Sequence, residues 1–282
     1  MHIGAHVSAA GGIFNAPANA TKLGCETFQV FSRSPQGGPA PKLTPEVVAK
    51  FKAEMKVGGF RDFTIHAPYY INYASTTPRI RYGSISVIRD ELERGTLLGA
   101  AYVVTHLGST KDAGPKLGFH KTWRGIQRVL DGYKGSTQLL LEGSAGNAGL
   151  VGGSFEQLAA LLKHIESSAK YKGKVNICLD ACHIFAAGYD LRTPSAVRAT
   201  LKQFDQIVGL SRLKLVHGND SKFGLGEQRD RHEHIGQGQI GLAGFKTLIA
   251  HPKMRNVDVI IETPWDSGYA KDVALLKTLR RR

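Results

Sequence analysis

Eight short apolar runs recur along the chain, most of them 35 to 44 residues apart, and each is followed by a loop and a stretch of helical period. Strands are expected near 2–7, 27–32, 62–66, 102–106, 137–142, 175–180, 213–217 and 257–262. Runs this uniformly apolar suit strands buried on both faces, the condition of a parallel sheet. The segments between them carry helix starts: Thr44-Pro45 and Thr193-Pro194 each place an N-cap before a proline, and Ser154 with Gln157 has capping-box spacing. After Ser154, residues Phe155, Leu158, Leu161, Leu162 and Ile165 share one face. Eight βα units in 282 residues fit an α/β (β/α)8 TIM barrel better than an open, doubly wound sheet of fewer strands. No repeat or linker marks a second unit, so 1–282 is expected to be a single domain.

The way these runs end narrows what the barrel does. Most finish on a side chain able to hold a metal ion: His66, His106, Glu142, Asp180 with His183 just beyond, His217 and Glu262. In a barrel all strand C-termini share one rim, so residues distant in sequence converge there. Asp230 and His232, in the long glycine-rich loop 219–241, complete a set of nine. One buried histidine more often satisfies a backbone carbonyl than a metal, but nine such groups would repel and desolvate one another without cations. Nitrogen and oxygen donors without thiolates favour zinc and also admit manganese or iron. At about three protein ligands per catalytic zinc, nine residues suggest three ions with one carboxylate shared.

A formal net charge of +14 and a pI near 9.7 point to an anionic partner, although a solvated lysine-rich surface would give the same sign. Committing several of the 23 acidic residues to metals leaves the remaining surface more positive still, so salt-dependent attraction to phosphate is expected. The start, MHIGAHVSAAGG, lacks the pattern of a secretory signal and no run is long enough to span a membrane, so a cytoplasmic protein without a membrane partner is expected. Three cysteines with no CxxC pair fit a reducing compartment, and Cys178 and Cys182 are read as packing residues. No GxSxG is present, Ser154 and Ser195 are explained by helix starts, and no nucleotide cofactor is implied. The closing LRRR, 279–282, reads as a frayed basic helix end, and a monomer is the default.

The stretches HVSAAGG (6–12), IHAPYYIN (65–72), CLDACHIFAAGYD (178–190), HGNDSK (217–222), DRHEHIGQGQIG (230–241) and IIETP (260–264) resemble, in order and over nearly the whole chain, the endonuclease IV family of apurinic/apyrimidinic endonucleases. The resemblance implies a trinuclear zinc site at the barrel rim. It also implies hydrolysis of the phosphodiester 5′ to an abasic site in double-stranded DNA during base excision repair. The products would be a 3′-hydroxyl and a 5′-deoxyribose phosphate, and a 3′-repair phosphodiesterase activity would accompany incision. Carried over, His66, His106 and Glu142 would hold one zinc; Glu142, Asp180, His217 and Glu262 a second; and His183, Asp230 and His232 a third. Glu142 would then bridge ions about 3.5–4 Å apart, the spacing of two-metal phosphodiester chemistry. Glu262, Glu142 and His183 are the residues expected to carry the chemistry, with Glu262 orienting the nucleophile.

The DNA contacts implied are Tyr69, which matches the family position inserted beside the lesion and is followed by Tyr70 and Ile71, and Arg33, Ser34 and Gln36 on phosphate or in the stack. His6 is expected near the metals or a phosphate, and His234 stays outside the ligand set. The chain departs from the family at SRSPQGGPAPK, which offers little bulk where relatives carry a wedge. It departs again at HLGS (106–109) and EGSAG (142–146), where the family usually has proline and asparagine in second place. The competing readings are a sugar or sugar-phosphate isomerase, which would need fewer metals, and a non-catalytic DNA-binding or metal-storing protein.

Overall fold

The computed structural model describes residues 1–280. In chain order the strands are β1 (Ile3–Val7), β2 (Thr27–Val30), β3 (Thr64–His66), β4 (Tyr102–Thr105), β5 (Gln138–Glu142), β6 (Val175–Asp180), β7 (Leu213–His217), β8 (Asp220–Ser221), β9 (His232–Glu233) and β10 (Asp258–Ile261). β1 to β7 and β10 close into a barrel of eight parallel strands in which each neighbours the next in sequence and β10 pairs with β1. This is the (β/α)8 architecture that the spacing predicts, and every expected strand lies within two residues of an observed one. The short antiparallel ribbon β8–β9 was not anticipated.

Local chemistry sets the helix starts. Thr44 Oγ1, Ser154 Oγ and Thr193 Oγ1 accept hydrogen bonds from the backbone N–H three residues on, at 3.4, 3.2 and 3.2 Å. Such caps contribute about 1 kcal/mol each. The capping box at Ser154 is half made, because Gln157 Oε1 accepts from Gly152 N at 2.9 Å instead of reaching back to Ser154. Strand closure has its own requirement at Gly4: a Cβ there would lie 1.9 Å from the Thr27 carbonyl oxygen, so only glycine lets β1 and β2 approach.

Two apolar layers hold the barrel. The larger lies between the sheet and the helices, and includes Phe28, Phe51, Phe63, Phe155 and Phe204. A smaller cluster of Val104, Leu140, Cys178, Leu215 and Ile260 is separate from it, and Tyr102 packs against it. Each of these five stands on a barrel strand, and Cys178 is fully buried there as a small apolar residue. The final helix, Tyr269–Arg280, is tied down instead of frayed: Leu279 is buried and Arg280 donates to both oxygens of Glu26. Positions 281 and 282 of the basic ending lie outside the described residues. Among the described residues no helix is long and apolar enough to cross a membrane.

Candidate metal centre

His66, Glu142, Asp180 and His217 terminate β3, β5, β6 and β7, while His106 and Glu262 stand one residue beyond β4 and β10. His183 lies in the short helix Ala181–Ala186, and His232 begins β9, two residues after Asp230. All nine meet at the C-terminal rim. Their donor atoms fall into three groups: His66, His106 and Glu142; Glu142, Asp180, His217 and Glu262; and His183, Asp230 and His232. Within each group the atoms lie within 4.8 Å of one another. These are the memberships the family resemblance implies.

Glu142 joins the first two groups through different oxygens. Its Oε2 lies 3.2 Å from His66 Nε2 and 3.0 Å from His106 Nε2, whereas its Oε1 lies 3.0 Å from His217 Nδ1. Asp180 turns toward the second and third groups, with Oδ2 at 3.8 Å from His217 Nδ1 and 3.4 Å from His232 Nε2. His183 Nε2 is 3.2 Å from Asp230 Oδ2.

Backbone carbonyls settle which ring nitrogen each histidine presents. His66, His183 and His232 donate from Nδ1 to the carbonyls of Ala67, Gly143 and Glu262 at 2.7, 2.9 and 2.9 Å. A carbonyl can only accept, so each Nδ1 carries hydrogen and each Nε2 faces the centre. His217 is reversed: Nε2 meets Gln29 Oε1 at 3.0 Å and Nδ1 points inward. Gly143 also donates to the Cys178 carbonyl at 3.2 Å, so the departure from the family there leaves the loop pinned on both sides.

Two buried amides complete the arrangement, and sequence reasoning missed both. Gln29 Nε2 donates to Glu262 Oε1 at 2.6 Å and lies 3.0 Å from His6 Nδ1. Asn219 donates to Asp180 Oδ2 at 2.7 Å and accepts from the Glu262 backbone N–H at 2.6 Å. The available signal was a fully buried amide inside the apolar run TFQV, and another just after the strand ending in His217. His6 sits beside Glu262, with Nδ1 3.5 Å from Oε1, and burial lowers its pKa despite that carboxylate.

Asp220 anchors the loop that delivers Asp230 and His232. It is fully buried and accepts five backbone N–H bonds, from Ser221, Gly236, Gly238, Ile240 and Gly241, at 2.8 to 3.2 Å. A Cβ at Gly238 would fall 2.6 Å from Asp220 Oδ1, so the cradle needs glycine there. His234 fastens the same loop to the segment after β10, with Nδ1 2.7 Å from Asp272 Oδ2 and Nε2 3.1 Å from Asp266 Oδ1.

The ionisable groups compensate one another. Burial raises the Glu142 carboxyl, but the charges and hydrogen bonds of His106 and His217 outweigh it and hold the group well below the usual carboxylate range. Burial likewise opposes the lowering of the Asp230 carboxyl, but the hydrogen bond and charge of His183 outweigh it and bring the group down to about 2. His232 is pushed up to about 9, burial opposing the pull of Asp180, and His183 is raised well above its ordinary value by Asp180 and Asp230 against burial. Protons and metal ions can therefore serve as the positive charge between these donors, and they compete.

The residues fit divalent ions. His232 Nε2 is a buried nitrogen with no hydrogen-bond partner among the described residues, 3.4 Å from both Asp180 and Asp230. Such a group needs a compensating partner in low dielectric, and a cation held by three mixed donors is one. Cys182 Sγ lies near Asp180 and His232, but burial pushes its thiol up to about 12, so it is a poor thiolate ligand.

The side chains expected to meet DNA divide into two sets. Tyr69 is 61% exposed and Tyr70 40%, with the Tyr69 ring 5.3 Å from Phe31 and 6.1 Å from both His66 and His106. Gln36 and Ser34 are exposed and hydrogen-bond each other at 3.0 Å. Arg33 is held by protein partners: its guanidinium is largely buried and paired with Glu91 and Asp90 of the helix Pro78–Leu98. An unanticipated aromatic stands at the rim instead. Trp265, directly after Glu262-Thr263-Pro264, is 66% exposed. With Tyr69 it lines a cavity of about 320 Å³ over His66, His106, His183, His232 and Glu262.

Residues 17–279 match the family model described as a xylose isomerase-like TIM barrel. A protein named probable endonuclease 4 from Halothermothrix orenii is 37% identical over 281 residues, covering 100% of both chains. Another of that name from Methanoculleus marisnigri is 42% identical over 265 residues, covering 94% of this chain and 93% of its own. The crystal structure of endonuclease IV from Thermus thermophilus superposes with a TM-score of 0.88 at 33% identity, covering 100% of this chain and 99% of that one. A D-tagatose 3-epimerase-like protein reaches 0.72 at 18% identity, a likeness of fold alone.

Proposed function

The chain belongs to the endonuclease IV family, and from that premise we propose that it is a zinc-dependent apurinic/apyrimidinic endonuclease of base excision repair. Its substrate would be double-stranded DNA containing an abasic site. It would hydrolyse the phosphodiester on the 5′ side of the lesion to leave a 3′-hydroxyl and a 5′-deoxyribose phosphate, and act on blocked 3′ ends at the same centre. The observation that carries this reading is the sharing of Glu142: nine donors in three groups, two of them joined by one carboxylate, at the mouth of a chain with net charge +14. A sugar isomerase has no use for so many donors.

In this reading three zinc ions occupy the three groups, with manganese or iron able to replace part of the set. Bound ions would supply Lewis acidity toward phosphoryl oxygens and bring the pKa of water from about 15.7 toward about 7, roughly 12 kcal/mol less to form hydroxide. The chain's own residues do the positioning. Glu262 is fixed from two sides, Oε1 by Gln29 and the backbone N–H by Asn219, so its carboxylate is aimed before substrate arrives. His183 and Asp230 stand together over the third group, where charge on a leaving oxygen would be met. Tyr69 and Trp265 offer stacking faces at the cavity mouth, and Trp265 supplies bulk that the glycine-rich loop after β2 lacks.

The test pairs incision with metal content. Wild-type protein should carry about three transition ions and nick a duplex at one abasic site, leaving an extendable 3′ end. Glu262→Gln should keep fold and DNA affinity and lose most of the cleavage. About one ion per chain together with turnover of a sugar would overturn the proposal, and undiminished cleavage by Glu262→Gln would remove that residue from it.

A further inference from the structure

The helices Pro78–Leu98 and Pro115–Leu130 follow β3 and β4, the strands that deliver His66 and His106, and so begin at the same rim as the metal centre. A groove of about 600 Å³ lies on their outer side, and none of the nine donors lines it. Arg81, Lys121, Arg124 and Arg128 line it, and none of the four pairs with a carboxylate among the described residues. The acidic residue at the groove, Asp131, is already bound by Lys170 at 2.7 Å and Tyr171 at 2.5 Å.

The arrangement opposes simple electrostatics. Arg81 and Arg128 both sit over the exposed ring of Tyr82, with guanidinium carbons 4.7 and 5.4 Å from its centroid. Arg124 and Arg128 stand four residues apart on one exposed stripe of their helix, a like-charge spacing that destabilises an isolated helix. Uncompensated guanidinium groups held in a concave surface beside an aromatic face are suited to a phosphodiester backbone. Along the helix axis Arg128 lies about 20 Å from Pro115, at about 1.5 Å per residue. At about 3.4 Å per base pair, that spans about six base pairs of duplex.

We propose that this flank groove is a second DNA-docking surface, which grips the phosphate backbone of duplex DNA several base pairs away from the incised site. The source of its ligand is thus the arm of the substrate itself, and the inference rests on the nuclease reading for its choice of polyanion. It adds a length requirement that the rim alone does not impose. Long duplexes engage rim and groove together; short ones reach only the rim.

The experiment compares wild type with the quadruple variant Arg81→Gln, Lys121→Gln, Arg124→Gln, Arg128→Gln, and with Arg124→Glu alone in case the quadruple variant fails to fold. Binding is measured on a GC-rich abasic duplex of about 10 base pairs and on damaged and undamaged duplexes of about 30, across a range of salt. On the long duplexes the quadruple variant should bind at least about tenfold more weakly at low salt. Its slope of log affinity against log salt should be shallower by up to about 3.6, at about 0.9 per lost contact. Arg124→Glu should give a smaller change in the same direction. On the short duplex both variants should match wild type in affinity and in incision rate. Undiminished binding to long duplexes overturns the proposal, as does an equal loss on both lengths. A loss confined to poly-aspartate, with DNA affinity kept, overturns it in favour of an acidic protein. Incision of the short duplex by wild type reports on the nuclease reading separately, since the binding slopes on undamaged DNA need no cleavage.

Discussion

Asp220→Asn isolates the part of the centre that does not stand on the barrel. The substitution keeps shape and volume but replaces one acceptor oxygen by an NH2 group. Oδ1 serves the N–H groups of Ser221 and Ile240, and Oδ2 those of Gly236, Gly238 and Gly241, so at least two buried donors lose their acceptor whichever way the amide turns. At about 1–3 kcal/mol for each buried group left unsatisfied, the cost is about 2–6 kcal/mol. The barrel strands make none of these five bonds, so the cost should appear as local opening of 232–241 and not as loss of the global fold. Native-state hydrogen exchange reads this directly. The amides of Gly236, Gly238, Ile240 and Gly241 should exchange at least about 30-fold faster, the lower limit at about 1.36 kcal/mol per tenfold, while amides of β5 and β6 keep their protection. Metal content should fall by about one ion per chain, since Asp230 and His232 supply two of three donors in their group. Unchanged exchange in 232–241 with full metal content would refute the reasoning.

Three further outcomes follow from other parts of the molecule. Tyr69→Ala and Trp265→Ala should each weaken binding to an abasic duplex about fivefold to 150-fold, from about 1–3 kcal/mol per stacked ring, with Phe at either position restoring most of it; equal affinity in the Ala variants would remove that side chain from recognition. Metal uptake near pH 7.5 should release protons, because His183 is held well above its ordinary value and His232 at about 9, and both must be neutral to ligate. Calorimetry in buffers of different ionisation enthalpy should therefore give different heats, and identical heats would count against it. Glu26 is brought down from 4.5 to about 2, burial opposing and the Arg280 hydrogen bond prevailing. A lowered folded-state value means its stabilisation is present above 4.5 and lost as pH falls toward 2. Urea midpoints should drop across that window, and Glu26→Gln should flatten the drop; a parallel profile would show the clamp to be inert.

The barrel was legible because its strands are buried on both faces and stand out as apolar runs, and the donors because they break those runs at their ends. His66, Glu142, Asp180 and His217 each sit where an apolar run stops. What supports them was harder to read. Gln29 is a single amide whose importance depends on Glu262 and His217, both around two hundred residues away. The β8–β9 ribbon has two residues per strand, too few for any period to register, and its position rests on Asp220 and glycine backbone. The pairing of Arg33 was not legible because its partners, Asp90 and Glu91, lie on a helix after the next strand. Trp265 went unremarked because one aromatic after a strand carries no pattern of its own.

The apolar cluster of Val104, Leu140, Cys178, Leu215 and Ile260 gives the charges above it a direction. It is drawn from the same strands that end in the donors, and closes the route through the middle of the protein to water and ions. Field lines from cations held there would meet a weakly polarisable floor and be turned outward through the wetted mouth. A loaded centre would act as a lamp with a reflector behind it, and a polyanion approaching that face would meet a stronger potential than the same ions would project from both sides of an open sheet.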